Sequence, residues 1–294
     1  DISELLEIEK ELNSMECPSD YPNTFYYLSI TDGAFPESTA KEITFFSEWN
    51  ANSCHSKIAK NLILLCILNS LETISYTAKD GQYLRWDYRS KKMREANEDR
   101  LAKGKRPIVV RLDKGNLPSL KETMCKEFGN VLKDIEYIQK HSEDTNAQIT
   151  FIEGNALYEI PKMENEILDG IITSPPYCNR YDYTRTYALE LNYLNYSNKN
   201  ITKLRQSLLS CTVENKSKLA ELKKFYFEIG RTHFYENTVD IINQNKSLNE
   251  IKASLRKRDQ NGDINNKGVL RMVDGYFTEL TFIYAELYRL CKKG

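Results

Sequence analysis

The sequence predicts an α/β fold in which a mostly parallel sheet is covered by helices and enlarged by helical insertions. Three observations carry this expectation. Two short apolar, β-branched runs, 149–152 and 168–173, have the composition of strands covered on both faces. The second run ends in Ser174-Pro175-Pro176-Tyr177, a rigid loop at the carboxyl end of a strand. On either side lie stretches whose apolar residues recur at helical spacing. A chain of 294 residues has room for one large α/β domain with insertions or for two modest domains.

Taken in order, residues 1–56 read as an N-terminal helix and loop segment. Ile2, Leu5, Leu6, Ile8 and Leu12 share one side of a helix over 2–12, with Ser3 as an N-cap, and the Pro-, Gly- and Tyr-rich tract 18–36 reads as loop with one short strand. Residues 57–142 read as a helical, partly basic insertion. Its first helix, 57–75, is apolar around much of its circumference, and helical spacing returns over 120–141. Residues 143–200 hold the core strands, the Ser-Pro-Pro-Tyr loop and a helical stretch at 187–196. Residues 201–268 form a second helical insertion, with helices near 216–229 and 248–257, and are a candidate for target recognition. A last amphipathic helix within 269–294 leads toward a strand that the sequence does not reach, so the fold is expected to be truncated at both ends.

Composition narrows the function classes. The 41 Lys and Arg against 42 Asp and Glu give a net charge of −1, so any contact with nucleic acid must come from a local patch. That patch is 79–114, where 12 basic residues face 6 acidic ones beside Trp86 and Tyr88. Arg85, Arg89, Lys91, Lys92 and Arg94 are the most clustered candidates for nucleic-acid phosphate contact, against the plainer reading of a solvated helix face. The seven cysteines are scattered and never arranged as Cys-x-x-Cys, which reads as free thiols of a cytoplasmic protein. The histidines His55, His141 and His233 are isolated, so no metal site is expected. The longest apolar run, 62–68, is far short of the ~20 residues a bilayer span needs, and no membrane role is expected.

The chemistry resides in the Ser-Pro-Pro-Tyr string. Two prolines fix φ twice and remove two backbone donors, which leaves carbonyls rigidly held to accept hydrogen bonds. Methyl transfer to an exocyclic amine needs such acceptors: they orient the NH2 group, aim its lone pair and stabilise the positive charge growing on nitrogen. The Ser174 hydroxyl and the Pro175 carbonyl have this character, with Pro176 completing the rigid turn. Tyr177 offers a face on which an extruded base stacks, worth ~1–3 kcal/mol.

This string, Thr173-Ser174-Pro175-Pro176-Tyr177, resembles the signature of the S-adenosylmethionine-dependent DNA amino-methyltransferases, and its Ser form is most similar to the cytosine-N4 branch. The run from Asn179 to Tyr187 also resembles bacterial site-specific DNA methyltransferases, and Phe151 to Ala156 resembles the family's strand and turn that meet the cofactor's adenine. The resemblance implies a Rossmann-like S-adenosylmethionine methyltransferase fold and S-adenosylmethionine as cofactor, touched by Asn155 and Ser174. It implies Ser174, Pro175, Pro176 and Tyr177 as catalytic residues. It also implies double-stranded DNA with a flipped target base as substrate and a restriction endonuclease as a candidate partner. Arg180, close to the Ser-Pro-Pro-Tyr loop in sequence, reads as a backbone contact beside that base, against the plainer reading of an ion pair with Asp182 or Glu190. The family's glycine-rich cofactor loop has no counterpart in these residues. N4 of cytosine is favoured over N6 of adenine, and the rival readings are an RNA or protein amide methyltransferase and a non-catalytic DNA-binding module. Cys178 follows Tyr177 rather than proline, so it reads as a small loop residue and not as the nucleophile of carbon-5 methylation; an amine already carries its lone pair.

Overall fold

Helices dominate the architecture. The computed structural model describes residues 2–80, 84–141, 147–179 and 181–293. In chain order the elements are α1 (Ile2–Ser14), α2 (Glu37–Asn52), α3 (Lys57–Ser70), β1 (Thr77–Lys79), β2 (Leu84–Trp86), α4 (Lys91–Ala102), α5 (Leu120–His141), α6 (Ala156–Glu159), a 3-10 turn (Ile160–Lys162), α7 (Tyr183–Thr186), α8 (Ala188–Tyr193), α9 (Asn198–Ser207), α10 (Leu219–Glu228), α11 (Thr232–Gln244), α12 (Lys246–Gln260) and α13 (Gly268–Leu290). They fall into two units, one of residues 1–147 with 184–198 and one of residues 148–183 with 199–294.

The first unit is built on α5. Its start is a capping box: Ser119 Oγ accepts from Glu122 N at 3.1 Å, and the Glu122 carboxylate accepts from Ser119 N at 3.0 Å. Ser56 and Ser90 cap α3 and α4 in the simpler way, each hydroxyl accepting a backbone N–H three residues on. The stripe Leu120, Met124, Phe128 and Leu132 of α5 joins Ile63, Cys66 and Ile67 of α3 and Leu5, Ile8 and Leu12 of α1 in one core. Each large apolar side chain so buried contributes roughly 1.5–3 kcal/mol.

The expected strand in the tract 18–36 is not formed. Its backbone is anchored by a side chain instead: Asn192 of α8 accepts from Leu28 N at 2.7 Å and donates to Tyr26 O at 2.6 Å. A short antiparallel hairpin lies where no strand was expected, pairing Thr77 with Trp86 and Lys79 with Leu84. Three-residue strands are too short to display an alternation in the sequence.

The second unit gathers Leu157, Leu222, Tyr226, Tyr235, Ile242, Leu248 and Phe282 into its core. Buried Glu286 of α13 accepts from Tyr226 Oη at 2.8 Å, Arg231 Nη1 at 3.0 Å and Arg289 Nε at 2.7 Å. Arg289 also donates to Met163 O and Asn165 Oδ1, at 2.8 and 2.5 Å, so one carboxylate organises the chain that leads into residue 168.

The mostly parallel sheet is where expectation and structure part. Among the described residues the sheet is the two-stranded antiparallel hairpin, and the runs 149–152 and 169–173 are irregular. Their apolar side chains stand in the open: Phe151 is 91 % exposed and Ile172 wholly so. A strand is stable only when a neighbour pairs its backbone and its faces are covered, and neither run has that neighbour here. A single parallel bridge joins Leu168 to Cys291, with Leu168 N donating to Leu290 O and Lys292 N to Leu168 O, both at 2.9 Å. No described helix is long and apolar enough to cross a membrane.

Candidate active site

A cavity of about 700 Å³ in the second unit is lined by Glu153, Gly154, Asn155 and Ala156, by Ile171 through Pro176, and by residues of α9, α13 and the loop after α9. It therefore brings together Asn155, Ser174, Pro175 and Pro176, residues singled out from two separate stretches of sequence. Leu204, Leu208, Leu280, Ile283 and Leu287 make much of the wall apolar, while Glu153, Thr173, Ser174 and Ser207 supply oxygen atoms. This is the usual make-up of a small-molecule site, an apolar cleft with a few directed polar groups.

The individual groups differ in how free they are. Ser174 is exposed, and its hydroxyl forms no hydrogen bond to the described residues, so it is available to a ligand. Asn155 is not equally available. Its Oδ1 accepts from Leu157 N at 3.0 Å, capping α6, and its Nδ2 donates to Ser207 O at 2.6 Å. Asn155 thus shapes the cavity through its side chain, with one carboxamide lone pair and one N–H left uncommitted by these two bonds. Tyr177 is 63 % exposed and lies outside the cavity lining. Burial raises the Cys178 thiol above its ordinary pKa, which is the opposite of what an activated nucleophile needs.

Sequence reasoning did not single out Glu153, Ser207 or the leucines of 204–209. Glu153 had a signal, a carboxylate immediately after a strand-like run. The 204–209 segment had none, because its part in the cavity depends on how the chain returns in space.

The chain is 50 % identical over 293 residues to the type II methyltransferase M.BsoBI of Geobacillus stearothermophilus, covering 100 % of this chain and 57 % of that protein. It is 36 % identical over 269 residues to the type II methyltransferases M.AvaI of a Nostoc species and of Anabaena variabilis, covering 91 % of this chain and 51 % of each relative. The chain is a homologue of type II methyltransferases. It spans a little over half the length of these relatives. No family model matches it, and no solved structure does.

In this methyltransferase homologue the basic tract belongs to the first unit, and most of its charges are engaged. Arg89 grips buried Asp87 with Nε at 2.9 Å and Nη2 at 2.8 Å, and this contact holds the Asp87 carboxyl well below the usual range. Arg85 pairs with Asp80 at 2.7 Å. Lys92 is half-buried, with its ammonium 4.6 Å from the centre of the Trp86 ring and donating to Ile30 O at 3.4 Å; burial lowers its pKa. Lys91 is exposed and only loosely paired with Glu95 at 3.7 Å, and Arg94 is exposed. Lys91 and Arg94 are thus the candidates best placed to meet a phosphate. Arg180 lies outside the described residues. Among the described residues no cluster of His, Cys, Asp and Glu is arranged to hold a metal ion.

Proposed function

We propose that the chain carries the catalytic part of a site-specific DNA methyltransferase that uses S-adenosylmethionine to methylate an exocyclic base amine, N4 of cytosine in preference to N6 of adenine. The observation that supports this best is the cavity itself, which joins the Ser174-Pro175-Pro176 loop to the Glu153–Ala156 turn in a homologue of type II methyltransferases.

The lining fits the cofactor's adenosine half. Ile160, Leu208 and Leu287 offer an apolar slot for a flat base, and the exposed Glu153 carboxylate is an acceptor for its amine or for ribose hydroxyls. Once bound, the cofactor supplies an electrophilic methyl group. Ser174 Oγ and the Pro175 carbonyl accept the two N–H bonds of the target amine and so turn its lone pair toward that methyl. The same two oxygens stabilise the positive charge that grows on nitrogen, and the excess proton then passes to solvent. Ser174 is neutral, so it accepts a hydrogen bond without taking the proton. Exposed Tyr177 stacks the base once it has left the duplex, and Lys91 and Arg94 contact backbone phosphates.

The mostly parallel sheet belongs to the same proposal. The Leu168–Cys291 bridge and the exposed apolar runs 149–152 and 171–172 support it, since a sheet would cover both runs. A restriction endonuclease of matching specificity is the candidate partner under this reading.

The test is transfer of labelled methyl by the full-length protein to DNA, RNA and protein offered side by side. Label in DNA alone is expected. Label confined to RNA or protein would replace the substrate, and DNA binding without transfer would make the protein a non-catalytic module.

A further inference from the structure

The segment between α9 and α10 lies along one face of α13. Gly268, Arg271, Gly275 and Glu279 share that face because they are spaced three or four residues apart. Each holds the segment. A Cβ on Gly268 would lie 2.8 Å from the Val213 carbonyl oxygen, so the close approach there requires glycine, and one on Gly275 would lie 3.2 Å from Ser210 Cβ, a tight contact. Arg271 donates to Val213 O at 2.8 Å and to Asn215 O at 3.0 Å.

Glu279 accepts from Ser210 N at 2.9 Å and from Ser210 Oγ, and Lys218 donates to both Glu279 oxygens, at 3.0 and 2.9 Å, and to Ser210 Oγ at 3.0 Å. Glu279 is 1 % exposed and Lys218 5 %. A buried ion pair is often no more stabilising than a well-packed apolar pair, so stability alone does not account for this one.

Hydrogen bonds continue from this pair to the Tyr177 carbonyl. Cys211, next to Ser210, donates its S–H to Tyr181 O at 3.2 Å. Tyr181 N donates to Asn179 Oδ1 at 3.1 Å, and Asn179 N donates to Tyr177 O at 2.8 Å. We infer that the buried Lys218–Glu279 pair is a positioning device, holding the Tyr177 backbone in place for the target base through Ser210, Cys211, Tyr181 and Asn179. Its catalytic consequence rests on the methyltransferase reading above; the mechanical linkage does not.

The experiment uses the full-length protein and two kinds of change. Lys218→Met with Glu279→Leu replaces the ion pair by apolar side chains, and Cys211→Ala cuts the link to Tyr181 while sparing the pair, with Cys211→Ser restoring a donor. Two quantities are read: amide hydrogen exchange over 177–183, and kcat with KM for DNA and cofactor affinity. Exchange should rise in the double variant and in Cys211→Ala. In both, kcat should fall about tenfold to 100-fold, as for a displaced reacting group, with cofactor affinity unchanged and Cys211→Ser recovering most of the loss. Unchanged exchange in a folded variant would overturn the inference, as would raised exchange with wild-type kcat. Absence of any methyl transfer by the wild-type protein would instead overturn the methyltransferase reading, and the exchange measurement would still judge the linkage.

Discussion

Tyr177 and Asn155 represent two kinds of site residue. Tyr177 is exposed, and its proposed task is to stack a base, which needs only an aromatic face. Tyr177→Ala is expected to lower kcat by about tenfold or more while sparing cofactor affinity, since a stacking interaction is worth ~1–3 kcal/mol, and Tyr177→Phe should recover most of it. Steady-state kinetics with isothermal titration of the cofactor checks both parts. Asn155 instead joins the cavity wall to α6 and to Ser207 O. Asn155→Ala should cost about 1 kcal/mol of stability by removing the cap, and Asn155→Asp should keep the cap but lose the bond to Ser207; denaturant titration of the three proteins distinguishes them. The motif residues were legible because Pro-Pro followed by an aromatic is costly to explain structurally. The fixed state of the Asn155 side chain was not legible, because Ser207 is distant in the chain.

At the scale of elements, a helix is readable from sequence in proportion to the apolar stripe it buries. The helices α1, α5 and α13 bury regular stripes, and their limits lie within a few residues of those expected. α4 buries no residue, so its limits were not legible within the basic tract. Its proposed role at a DNA backbone divides by residue. Lys91→Ala with Arg94→Ala should reduce the slope of log K against log salt by about 0.9 for each phosphate that the protein no longer neutralises. Lys92→Ala, which removes packing over Trp86, should chiefly lower thermal stability. Binding measured across a salt series checks the first, and a thermal melt the second. An unchanged slope would leave α4 as an ordinary solvated face. Asp87, just before α4, adds a pH dependence. Its carboxylate accepts from Arg89 Nε, Nη2 and N and from Lys114 N, which depresses its pKa. The stability this contributes is present above the ordinary aspartate pKa of about 4 and is lost as pH falls below it. Melting temperature should therefore drop on acidification below about pH 4, and Asp87→Asn should be less stable at neutral pH and show a smaller acid drop.

For the whole molecule, the strand-like runs are the instructive case. Residues 149–152 and 168–173 have strand composition, yet only Leu168 pairs. Composition states what a segment needs, whereas a sheet requires neighbours to supply it. The loops that follow these runs put Asn155 and Ser174 in the lining of one cavity, so part of that lining was legible where the sheet was not. The account stands on that chemistry: an amine held by neutral acceptors and methylated directly, with no covalent intermediate on Cys178. The most direct measurement is mass spectrometry of nucleosides from DNA treated with the full-length protein and S-adenosylmethionine. N4-methylcytosine is the predicted product. N6-methyladenine would reassign the base and leave the amine mechanism intact, whereas 5-methylcytosine would contradict the mechanism.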